Sequence, residues 1–235
     1  GVLPEDEIAD MRAQMTEMEY RQELLCDFTA SASDVVMPID LVTDAAAREM
    51  SADDVAGQPV VLGVDVARFG DDRTAICVRQ GLLLREMRKY TELSTMDAAS
   101  AVMACWTEFS PDAVFIDAGA MGAGVIDRLR QLGYAPTEVN FGGAAMDAER
   151  YANIRAEMYF KCRDWLEAGG AIGQDADLKT ELSAAEYRFT GNGRIILEGK
   201  DKIKERMGKS PDLADALALT FAHPVRASGS SKYRQ

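Results

Sequence analysis

Three strand-length segments follow one another between residues 60 and 90 with only short turns between them. This run restricts the fold more than any other feature. VVLGVDV (60–66) is a short apolar run, the pattern of a buried strand. ARFGDDR turns the chain through Gly70, with Asp71 and Asp72 reading as turn residues. TAICVRQ (74–80) reads as the next strand, Gly81 turns the chain again, and LLLREMRKY (82–90) reads as the third. Connections this short join antiparallel neighbours, because a parallel pair needs a crossover of a dozen or more residues.

Downstream the pattern changes. Residues 95–109 read as a helix, DAVFID (112–117) as a strand left through AGAMGAG, residues 123–132 as a helix, and APTEVNF as a fifth strand. The order β-β-β-α-β-α-β predicts an α/β fold with a mixed sheet and helices on its faces, the ribonuclease H-like order. A long helix (about 150–168), a hairpin turning at Gly191-Asn192-Gly193 and a helix from Pro211 are added behind it. Residues 60–225 thus form the predicted domain. Residues 1–59 read as an acidic helical lead-in and a linker with no core of their own. The tail, 226–235, is expected to be disordered.

The segment KERMGKSPDLADALALTF (204–221) holds the densest chemistry. Its Gly208-Lys209-Ser210 is not a P-loop, because that motif needs a glycine where Ile203 stands, and a strand before it. Ser210 reads as an N-cap, Pro211 suits a first helical turn, and Asp212 suits the positive end of the helix. Asp215 is not explained by capping. It lies between Ala214 and Ala216 in an apolar run, and a buried carboxylate is costly unless paired or metal-bound. Two more aspartates stand in similar places. Asp65 interrupts the first strand between Val64 and Val66, and Asp117 ends the fourth. If strands one and four are neighbours and the last helix crosses them, three carboxylates meet. Divalent cations with a preference for oxygen, Mg2+ or Mn2+, would relieve their repulsion.

Composition narrows the chemistry. Four scattered cysteines without a CxxC pair and a single histidine, His223, argue against a zinc site and against His-dependent catalysis. No apolar run is long enough to span a membrane. The formal net charge of −13 argues against a phosphate-binding surface over the whole chain. Lys200, Lys202, Lys204, Arg206 and Lys209 nevertheless fall within ten residues, immediately before the Asp212/Asp215 helix. On charge alone that run is a solvated segment.

Taken together, VVLGVDVARFGDDRTAICVRQG, VFIDAGAMGAGVIDRLRQLG and KDKIKERMGKSPDLADALALTF resemble the three motifs of the C-terminal nuclease domain of the tailed-bacteriophage terminase large subunit. NIRAEMYFKCRDWL resembles that family's Asn-x-Arg-Ala-Glu segment, and the lead-in resembles its connection from an N-terminal ATPase domain. The resemblance implies an endonuclease that cuts double-stranded viral DNA concatemers during genome packaging, with two divalent cations, Mg2+ or Mn2+. It implies that Asp65 bridges the metals, Asp117 ligates one and Asp215 completes the site, while Asp212 is either a second ligand or only the cap. Lys202, Lys204, Arg206 and Lys209 are candidate phosphate contacts. The implied partners are DNA, the portal protein, the small terminase subunit and the ATPase domain, in the cytoplasm of an infected bacterium. Three other readings stay open: a non-catalytic docking module of the motor, a junction resolvase or transposase, and a phosphotransferase of the actin and sugar-kinase type.

Overall fold

The computed structural model describes residues 35–67, 73–119 and 121–227. The lead-in helix, Asp71, Asp72 and the end of the tail lie outside the described residues.

Five strands form the main sheet: β1 (Val60–Asp65), β2 (Thr74–Gln80), β3 (Leu83–Tyr90), β4 (Ala113–Asp117) and β5 (Thr137–Val139), in the spatial order β3-β2-β1-β4-β5. The first three pair antiparallel, as their short turns require, and β1, β4 and β5 run parallel. Two helices, α2 (Thr95–Phe109) and α3 (Gly122–Gln131), supply the crossovers. They cover one face through Ala98, Val102, Cys105, Val125, Ile126 and Leu129, packed on Leu62, Val64, Ile76 and Ile116.

The strand period of two decides what lies on the other face. Leu62 and Val64 point to α2 and α3, so Val61, Gly63 and Asp65 point away. On β4, Val114 and Ile116 point to α3, so Phe115 and Asp117 point away. That second face is covered by α1 (Ile39–Ala47), α4 (Ile154–Glu167), α5 (Ala176–Leu182) and α7 (Asp212–Leu219). All eight residues of α7 are buried, because the helix lies between the sheet and the outer helices. Between α5 and α7 come a small hairpin, β6 (Tyr187–Phe189) with β7 (Ile195–Leu197), and α6 (Lys200–Met207).

Several expectations need correction. Residues 35–59, read as linker, contribute Val36, Met37, Val42, Ala45, Ala46 and Val55 to buried positions, and the Val36 N–H donates to the Ala185 carbonyl. Their Asp- and Ala-rich composition conceals a short apolar face. Neither α5 nor α6 was expected, because both are rich in charge. The fifth strand is three residues long, and α4 starts at Ile154, where Asn153 accepts from the Ala156 N–H. Gly208, in the left-handed region at φ 75°, ends α6, so the Gly-Lys-Ser is a helix terminator. The sheet's outer edge at β3 is partly closed, since Leu84 and Leu82 exchange backbone hydrogen bonds with Ala171. No helix among the described residues is long and apolar enough to cross a membrane.

Gly63 is where α7 crosses β1. A Cβ placed there would lie 2.0 Å from the backbone oxygen of Ala216. Gly63→Ala is therefore expected to lower stability by about 1–3 kcal/mol or more, the cost of overpacking. Urea unfolding of the two proteins checks this.

Candidate metal centre

The close approach at Gly63 brings two carboxylates together. Asp65 is two residues further along β1, and Asp215 precedes Ala216 on α7. Asp65 is 3% exposed and Asp215 fully buried. Asp117 ends β4, one step beyond the paired residues Val64 and Ile116, and is half-buried on the same face.

The Lys200 ammonium, at the start of α6, stands between the two buried acids. Its Nζ is 3.0 Å from Asp65 Oδ2 and 2.8 Å from Asp215 Oδ2. The other oxygen of Asp215 is fixed from α4. Arg155 Nε donates to Oδ1 at 3.1 Å, and the Tyr159 hydroxyl donates to it at 2.8 Å. Arg155 is itself held by a bond from Nη1 to the Glu198 carbonyl. The Asn-x-Arg-Ala-Glu segment thereby acquires a physical meaning. Asn153 caps α4, Arg155 orients Asp215, and Glu157 accepts from the backbone N–H groups of Met146 and Asp147.

The charges balance unevenly. Burial, the largest influence, pushes the Asp65 carboxyl up, Lys200 pulls it down, and Asp215, Asp212 and Asp117 add to the rise, which ends at about 7. Burial also raises Asp117. Burial opposes charge on Asp215 too, but Arg155 and Lys200 hold it below the ordinary carboxylate value. Among the described residues no three carboxylate, imidazole or thiol groups form a closed ligand set. The donor chemistry nonetheless fits a hard divalent cation. Asp65, Asp215 and Asp117 offer only oxygen, they interact electrostatically, and an ammonium already occupies the space between two of them.

Asp212 also acts electrostatically on Asp65. Its Oδ2 accepts the Arg73 backbone N–H at 2.8 Å. The expected Ser210 cap is not formed. Pro211 stands at the cap position without a side-chain bond, and Leu213 and Ala214 donate to Glu181 Oε2 from α5 instead. Of the candidate phosphate contacts, Lys202 and Lys204 are exposed on α6. Arg206 is bound to the Ala184 carbonyl, Glu186 and Glu198, and Lys209 lies 2.7 Å from Asp177. Sequence reasoning did not assign Lys200, Arg155 or Tyr159 to the site. The signal for the last two was present, since they are four apart and so share one face of a helix.

The raised Asp65 carboxyl has a consequence for stability. Between its ordinary value of 3.8 and about 7 the unfolded chain has lost this proton while the folded chain retains it, so stability falls as pH rises through that window. Asp65→Asn cannot titrate. It is expected to lose less stability between about pH 5 and about pH 8, and to be the more stable protein at the higher value. Urea unfolding in EDTA at both values checks this.

No protein-family model and no curated protein matches the sequence. Solved structures do match. The nuclease domain of the large terminase subunit gp2 of bacterial virus Sf6 superposes with a TM-score of 0.70 at 19% identity, covering 81% of this chain and 99% of that one. A mutant of that domain has also been solved with manganese. The large terminase nuclease from thermophilic phage G20c gives 0.55 at 15% identity over 71% of this chain and 82% of that one, and has been solved with magnesium. The large terminase nuclease domain of Thermus phage P74-26 gives 0.52 at 14% identity over 75% and 83%. The chain has the ribonuclease H-like fold of the nuclease domains of bacteriophage large terminase subunits.

Proposed function

We propose that the chain is a metal-dependent endonuclease that cleaves double-stranded viral DNA concatemers during genome packaging, with little sequence preference. One observation carries the reading: buried Asp65 and Asp215 share one cation, Lys200 Nζ, with Asp117 on the adjoining strand. The likeness in fold to terminase nuclease domains supports the same reading.

In this proposal Asp65, Asp117 and Asp215 are the residues that would hold two divalent cations, Mg2+ or Mn2+. The chemistry supplied by the bound cations is activation of a water for in-line attack and neutralisation of the leaving oxygen. Arg155 and Tyr159 keep Asp215 Oδ1 in a fixed direction, so its Oδ2 faces the site. Lys200 offsets the charge of Asp65 and Asp215, and with metal bound its ammonium would be free to meet a DNA phosphate. Asp212 accepts the backbone N–H of Arg73, which suits a bracing role more than a ligand's. Lys202 and Lys204 are exposed on α6 and meet the DNA backbone. The acidity of the chain assigns most of the grip on DNA to other parts of the packaging motor: the ATPase domain, the portal and the small subunit. This work takes place in the cytoplasm of the infected host.

Incubation with supercoiled plasmid tests the reading. Nicking and linearisation are expected in Mg2+ or Mn2+, with Asp65→Asn and Asp215→Asn reduced to the level seen in EDTA. Cleavage unchanged by both substitutions would sink the proposal. Lys200→Ala is expected to bind Mn2+ roughly tenfold more tightly, because a competing positive charge has left, while cutting more slowly. Calorimetry and plasmid kinetics separate these two effects.

A further inference from the structure

The carboxylate cluster leaves one buried acid without a role. Glu181 on α5 is fully buried. Its Oε2 accepts from the backbone N–H groups of Leu213 at 2.7 Å and Ala214 at 3.2 Å. Its Oε1 lies 2.6 Å from Arg73 Nη2 and 4.0 Å from Lys209 Nζ. Arg73 also pairs through Nη1 with Asp177, and its backbone N–H donates to Asp212. The first turn of α7 lacks a cap of its own, so an acid from another helix supplies one, at the end where the helix dipole favours negative charge.

These bonds converge on one place. Arg73 precedes Thr74, the first residue of β2, and Ala75 on that strand is paired with Asp65. The N–H groups held by Glu181 belong to the two residues immediately before Asp215. The clamp therefore joins the strand beside Asp65 to the turn that carries Asp215. An apolar side chain at 181 would fill the space without the cost of burying charge. What the carboxylate adds is direction, through two short bonds to backbone and one to a guanidinium.

We propose that Glu181 is a positioning residue for the nuclease site. By bracing α7 against Arg73 it sets the separation of Asp65 and Asp215 at which a divalent cation is held. The inference rests on the nuclease reading above.

The test uses the full chain, with plasmid kinetics, Mn2+ calorimetry and thermal unfolding read together. Glu181→Gln keeps the shape and a carbonyl acceptor but removes the charge facing Arg73. It is expected to lower kcat and weaken Mn2+ binding by roughly 10–100-fold, the range for groups that orient metal ligands, with KM for DNA within about twofold. Asp177→Asn removes the more exposed partner of Arg73 and is expected to change each quantity by no more than about twofold. A folded Glu181→Gln protein with wild-type kcat and Mn2+ affinity overturns the inference. If Glu181→Gln does not fold, Arg73→Gln takes its place, with the same expected split and the same overturning result. A wild-type chain that binds Mn2+ without cutting leaves the ratio of affinities to decide. One that neither cuts nor binds Mn2+ overturns the nuclease reading, and this inference with it.

Discussion

The missing side chain at Gly63 is the constraint on which the rest of this structure depends. A helix backbone normally stands off a sheet by the thickness of two layers of side chains. Here α7 touches the sheet, since a single added carbon at residue 63 would strike the Ala216 carbonyl. The contact falls two residues from Asp65 and one from Asp215. A larger residue at that point would lift the helix and part the two acids. Ala216, whose carbonyl makes the contact, is buried, as are Ala214 and Ala218 on the same helix.

Crowding carboxylates in this way is unfavourable in a chain that is already acidic. The counter-charges come from elements that lie behind the sheet order in sequence: Arg155 from α4 and Lys200 from the start of α6. Asp215 carries the better share of this compensation and is held below the ordinary carboxylate value, whereas burial leaves the Asp65 carboxyl raised to about 7. The site is thus built with an unequal pair. One acid is held by Arg155, Tyr159 and Lys200, and the other by Lys200 alone among these three.

Much of the fold was legible because it rests on local rules. Short turns at Gly81 and before Thr74 dictate antiparallel pairing, and the period of two along VVLGVD and AVFID puts Asp65 and Asp117 on one face. Asp215 stood out because an apolar helix gives an acid no local partner. What could not be read depends on contacts distant in sequence. Arg155 meets Asp215 across 60 residues, and Glu181 caps α7 across more than 30. The Ser210 cap was the local expectation, and a remote acid displaced it. The helices α5 and α6 were missed because so many of their residues are charged, and charge at helical spacing resembles a solvated loop when the partner surface is unknown.

The sheet's two margins have a consequence for how copies of this chain can meet. The β3 margin gives part of its backbone to Ala171, and the remainder carries Arg85, Glu86, Arg88 and Lys89. The β5 margin is three residues long and bears Glu138. Neither is a template on which another copy could extend the sheet. Contacts between copies at these two margins are therefore left to side chains rather than to backbone pairing. Such contacts can form and release repeatedly without a strand ever leaving its register.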